Sequence, residues 1–121
     1  MQVKDYRELE VWQRGRAIAK GSYLLTRTFP TGELYGMTSQ IRRAATSIPA
    51  NIAEGCCRDG DNEFARFLQF SMGSASELEY YCLLAGDLGL LETEDVKRLT
   101  SAVTEVKRML AALIRKVKHK N

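Results

Sequence analysis

The chain has 121 residues, 45% of them hydrophobic and 27% charged, and 18 Lys or Arg against 15 Asp or Glu leave it at +3. That length allows one domain with a true core and excludes a multidomain enzyme, while the balance of apolar and charged residues excludes a disordered chain. No apolar run approaches the roughly 18 residues a spanning helix needs, and the opening Met-Gln-Val-Lys-Asp-Tyr lacks an apolar signal core, so a cytoplasmic protein with no membrane partner is expected.

Two prolines in the whole chain, with Ala, Leu, Glu, Lys and Arg abundant, point to an all-α fold. The first predicted helix covers 9–28, with bulk from Trp12, Ile18, Leu24 and Leu25, and Phe29-Pro30-Thr31-Gly32 ends it. The second covers 34–57 and is closed by Arg58-Asp59-Gly60. At about 100° per residue, its Met37, Ile41, Ala45, Ile48 and Ile52 form one apolar stripe. Gln40, Arg43, Ala44, Ser47, Asn51 and Glu54 line up beside that stripe, where partial burial demands hydrogen-bond partners. Arg43 and Glu54 stand too far apart to pair with each other, but either can reach Glu77, Glu79 or another chain. A polar network that sets helix register and a binding surface are both open readings of Gln40, Arg43, Ser47, Asn51, Glu54 and Glu77. Pro49 removes one backbone donor inside this helix, so a kink near Thr46–Ser47 is expected.

The third helix covers 61–86, with Asp61 as its candidate N-cap and a seam of Phe64, Phe67 or Leu68, Ser71, Ala75, Leu78, Cys82 and Ala85. Small residues at Ser71, Gly73, Ser74 and Ala75 would let another backbone come close, and Gly86-Asp87-Leu88-Gly89 ends the helix. The fourth covers 93–118, opened by Thr93 with Glu94 and Asp95 suiting the positive end of the dipole. Its seam is Val96, Leu99, Val103, Val106, Leu110, Leu113 and Val117, with Lys116, Lys118 and Lys120 at the negative end. Helices of similar length with short loops predict a single domain, 1–121, folded as an antiparallel up-down-up-down four-helix bundle.

The small net charge hides a segregation. Residues 1–58 hold nine Lys or Arg against five Asp or Glu, residues 59–95 hold one against nine, and residues 96–121 hold eight against one. In such a bundle the first and fourth helices are neighbours. Their exposed sides are expected to merge into one basic surface from Arg14, Arg16, Lys20, Arg27, Lys107, Arg108, Arg115 and Lys116, opposite an acidic third helix. That surface could attract RNA or DNA, meet the acidic face of a neighbouring subunit in a ring, or remain solvated. The candidate nucleic-acid contacts are Arg14, Arg16, Lys20, Arg42, Arg43, Lys107, Arg108, Arg115 and Lys116.

Catalytic chemistry is scarce. The one histidine, His119, lies in the tail, which removes a nucleophile–histidine pair on a rigid element and any two-histidine metal site. Asp59-Gly-Asp-Asn-Glu63 opens like a calcium loop, yet Phe64 stands where that loop needs glycine and Phe70 where it needs glutamate, so a helix cap explains it better. No glycine-rich phosphate loop occurs. Glu77 and Glu79 point about 160° apart on a helix, unsuited to joint acid–base work. Cys56, Cys57 and Cys82 cannot pair completely and read as free thiols of a reducing cytoplasm. No cofactor, no metal and no catalytic residue are expected; the one enzymatic alternative is a site formed between subunits by Arg43, Asn51 and Glu54.

Several strings carry a resemblance. Leu9-Glu-Val-Trp12, Phe29-Pro30 followed by Glu33-Leu-Tyr-Gly36, Gln40-Ile-Arg-Arg-Ala-Ala45, Ser47-Ile48 and Asn51-Ile-Ala-Glu-Gly55 resemble the four-helix bundle family of 23S rRNA intervening-sequence proteins. Gly73-Ser74-Ala-Ser-Glu77-Leu-Glu79 and the Leu-Gly-Leu turn at 88–90 agree, so the likeness covers nearly the whole chain. Phe70-Ser71-Met72 departs from it, where the family more often has a small apolar pair. The resemblance implies kinship with the accessory variability proteins of diversity-generating retroelements. Those form pentameric barrels and bind a reverse transcriptase and nucleic acid. It therefore implies a homo-oligomer, a pentamer by preference, with RNA, DNA, a reverse transcriptase or another protein as partner. It assigns no catalytic residue. A structural oligomer or protein adaptor without nucleic-acid affinity is the alternative.

Overall fold

The computed structural model describes Val3 and residues 5–118. Four helices form an antiparallel up-down-up-down bundle: α1 (Glu10–Thr26), α2 (Ser39–Cys56), α3 (Asp61–Asp87) and α4 (Thr93–Lys118). No strand occurs among the described residues. Each helix packs on its neighbours in sequence, and α1 closes the ring by packing on α4, the sparsest of the four contacts.

The α2 and α3 stripes read from the sequence are the core. Ile41, Ala45, Ile48 and Ile52 face Leu68, Ala75, Leu78 and Cys82, all of them at 1% exposure or less. On α4, Leu99, Val103, Val106, Leu110, Ile114 and Val117 are buried, and the expected Leu113 is only half-buried, because the step after Leu110 is four residues and lands on Ile114. Ser71, where the sequence departs from the family habit, is fully buried and donates to the Ile48 carbonyl at 2.9 Å.

Helix α1 departs most from expectation. Its core face is Val11, Gly15, Ile18, Ser22 and Thr26, while Trp12 and Leu25 are half-buried and Leu24 is 48% exposed. Small residues face inward because α1 lies close on α2: a Cβ on Gly15 would stand 3.2 Å from Ile48 Cγ2 and 3.5 Å from Pro49. Pro49 itself sits inside an unbroken α2, whereas the backbone irregularity lies earlier. Leu34–Thr38, expected as the start of this helix, is a π-helical turn with Gly36 at φ −113° and ψ −112°, preceded by a 3-10 turn at Thr31–Glu33. The turns at Gly60 and Gly89 have φ of 85° and 75°, conformations that glycine reaches without a Cβ penalty. Gly60 occupies the cap position expected of Asp61, which is the first residue of α3.

Candidate functional site

The cations predicted as one basic surface divide by helix phase. On α1, Arg14 lies on the side facing α4 and lines a groove there with Ala17, Ile18, Leu25, Leu99 and Ala102. That groove of about 380 Å³ is apolar between its rims, so the α1–α4 seam is not a continuous basic surface. Acidic groups also interleave. Arg14 pairs with Glu10 at 3.3 Å, Arg98 with Asp95 at 3.6 Å, and Arg108 with Glu105. The Arg108 guanidinium holds the Glu105 carboxyl below its usual range, with Arg14 across the seam adding to the effect. Lys107 turns the other way and pairs with Glu79 of α3 at 3.2 Å. Arg115 and Lys116 are exposed in the last turn of α4.

A different set gathers between α1 and α2. Arg16, Lys20, Tyr23 and Arg27 follow one another at three- and four-residue steps, which places them on one face of α1. Arg16 stands 5.7 Å from the Trp12 ring centroid. Arg42 of α2 reaches across, its guanidinium 4.5 Å from the Tyr23 ring centroid and its Nε donating to Thr26 Oγ1 at 2.8 Å. Beside this stack lies a hollow of about 410 Å³, with Leu34, Tyr35, Arg43 and Thr46 on its wall. The π-helical turn builds one side of it. Met37 and Thr38 are buried and anchor the turn, and the Glu33 carboxylate accepts from the Met37 N–H at 3.4 Å. Leu34 and Tyr35 are thereby turned outward.

The polar stripe of α2 splits into separate pieces. Arg43 donates to Glu77 at 2.9 Å and to Gln40 at 2.8 Å, and the Tyr81 hydroxyl donates to the same Glu77 oxygen at 3.2 Å. Arg43 accordingly holds the Glu77 carboxyl below its ordinary value, and Glu77 raises Arg43. Ser47 and Asn51 instead satisfy themselves along their own helix, donating to the carbonyls of Ala44 and Ser47. Glu54 pairs with Arg58 at 2.6 Å, one turn on. Ser47, Asn51 and Glu54 are therefore not joined to the Arg43 cluster. Glu77 and Glu79, on opposite flanks of α3, tie that helix to α2 and α4 respectively.

His119 lies outside the described residues. Among those described, no three His, Cys, Asp or Glu side chains converge to hold a metal. The thiols are free, and burial pushes Cys56 up to about 11 and Cys82 up to about 12, which leaves both almost entirely protonated at neutral pH. The arrangement between α1 and α2 is suited to binding anions. Sequence reasoning listed Arg16, Lys20, Arg42 and Arg43 but missed Tyr23 and Tyr35; the tyrosine set between Lys20 and Arg27 at helical spacing was the available signal.

No helix among the described residues is long and apolar enough to cross a membrane. No curated protein matches the sequence. A solved structure of a protein of unknown function from the S23 ribosomal protein family of Bacteroides thetaiotaomicron superimposes with a TM-score of 0.78 at 24% identity, covering 87% of this chain and 98% of that one. At that identity the likeness supports the fold alone. The profile of the 23S rRNA-intervening sequence proteins matches residues 7–112. That span runs from the turn before α1 into the last third of α4 and takes in every string that carries the resemblance, from Leu9 to Leu90, and the chain belongs to this family.

Proposed function

We propose that the protein is a non-enzymatic, ring-forming bundle of the cytoplasm that binds nucleic acid through the cations exposed between α1 and α2. One observation carries this reading. Arg14, Arg43, Lys107 and Arg108 are engaged by carboxylates, whereas Arg16, Lys20, Arg27 and Arg42 have no carboxylate partner among the described residues. An unpaired cation can release counterions from a phosphate backbone without first giving up an ion pair. The test is retention of a labelled RNA or DNA at low and moderate salt. Affinity should fall steeply as salt rises, and Lys20→Glu with Arg27→Glu should remove most of it. Salt-independent retention, or retention untouched by that double reversal, would refute the site.

A second reading is favoured by a separate observation. Tyr80 and Leu83 are exposed one turn apart on the solvent face of acidic α3, and the α1–α4 groove is apolar with arginine on its rim. An exposed apolar pair on one face and an apolar groove on another face of the same chain suit heterologous self-assembly, with a pentamer as the subunit count the family resemblance favours. A reverse transcriptase or another protein partner would take the same exposed faces.

A further inference from the structure

We infer that the hollow between α1 and α2 is a platform for single-stranded nucleic acid, with Tyr35 stacking on a base, the Tyr23–Arg42 pair flanking it, and Lys20 and Arg27 holding phosphates. This rests on the nucleic-acid reading above and specifies the form of the ligand. Tyr35 is 93% exposed and Tyr23 is 44% exposed. A tyrosine with nearly its whole surface in water contributes little to the stability of its own chain. Its position is nevertheless fixed, because Met37 and Thr38 bury the other side of the same turn and Glu33 caps it. Arg42 is likewise held in place before any ligand arrives, by Thr26 and by the Tyr23 ring. No carboxylate among the described residues lines the hollow; Glu33 accepts from the Met37 N–H, and Glu77 is bonded by Arg43 and Tyr81.

The aromatic component decides between single strand and duplex. A duplex offers phosphates but keeps its base faces stacked inside, so an exposed ring gains nothing from it. An unpaired strand offers both, and ring–base stacking with phosphate contacts alongside is how sequence-tolerant single-strand sites work. Cations at the three- and four-residue steps of α1 then follow the backbone on either side of the stacked base.

The experiment is fluorescence anisotropy of the full chain, in low salt, with a labelled twelve-nucleotide poly-uridine strand and with a blunt duplex of the same length. The strand should bind more tightly. Tyr35→Ala should weaken strand binding about tenfold, the loss of one stacked base, with duplex binding and thermal midpoint unchanged. Tyr35→Trp should retain the affinity. Lys20→Glu with Arg27→Glu should weaken both probes. Strand binding unaffected by Tyr35→Ala, yet lost in the charge reversal, would overturn the platform and leave the nucleic-acid reading intact. Equal affinity for strand and duplex would also overturn it. No binding of either probe by the unaltered protein would refute the nucleic-acid reading itself.

Discussion

Two buried serines show how position decides the worth of a hydroxyl. Ser71 Oγ bonds the Ile48 carbonyl and links α3 to α2, whereas Ser22 Oγ is buried with no hydrogen-bond partner among the described residues. Ser71→Ala should cost about 1 kcal/mol in urea unfolding, and Ser22→Ala should cost nothing or stabilise, since an unsatisfied polar atom leaves the core. Loss of stability in the second variant would show that Ser22 has a partner in solution. Glu77 gives a pH prediction. Its folded carboxyl lies below the ordinary 4.5, first because Arg43 bonds it, so its contribution is complete above that ordinary value and disappears as pH falls through the lowered one. The pair is solvent-accessible, with side chains 55% and 37% exposed, so Glu77→Gln should cost only about 0.5–1 kcal/mol at pH 7. That gap should narrow as pH falls below 4.5 and through the lowered value, and a gap that stays constant with pH would place the effect elsewhere.

At the scale of the helix, two glycines have opposite meanings. A Cβ on Gly55 of α2 would stand 2.9 Å from Phe67 Cβ and 3.4 Å from the Phe64 carbonyl, so the glycine is what lets α2 and α3 approach. Gly55→Ala should destabilise by about 1–3 kcal/mol, the cost of overpacking exceeding the gain in helix propensity. Gly73 lies in mid-α3 with nothing within 4 Å of its Cβ position, and Gly73→Ala should stabilise by about 0.5–1 kcal/mol. Thermal midpoints of the two variants moving in the same direction would contradict this packing. Of the small residues Ser71, Gly73, Ser74 and Ala75 marked in the sequence as places of close approach, Ser71 and Ala75 are fully buried and Ser71 meets the α2 backbone. Gly73 meets nothing, whereas Gly55, which periodicity did not mark, is tightly packed because of the helix that lies opposite.

For the whole molecule, the issue is where two long faces find cover. Acidic α3 exposes Tyr80 and Leu83, and the α1–α4 seam leaves an apolar groove beside Leu24. If these faces meet between copies, Leu83→Glu should lower the assembly mass in light scattering to that of one chain while helicity is kept, and the unaltered assembly should persist when salt screens only its charged rim. A monomer at all salt concentrations would refute self-assembly through them. Neither outcome moves the Tyr35 prediction, which concerns the opposite side of α1.

The number of helices, the core stripes of α2 and α3 and nearly all of the α4 seam follow from the sequence alone. They rest on apolar spacing and on Gly and Pro punctuation, which act within a few residues. Tertiary structure decided the rest. Whether a cation stays free depends on the phase of its helix against the next, which is why Lys107 meets Glu79 while Lys20 meets no carboxylate among the described residues. The inward face of α1 was hidden because Gly15, Ser22 and Thr26 are small or polar, and only the nearness of Ile48 and Pro49 makes such residues fit a core. Tyr35 faces water because the turn through Gly36 buries its neighbours Met37 and Thr38, an orientation that no helical periodicity contains.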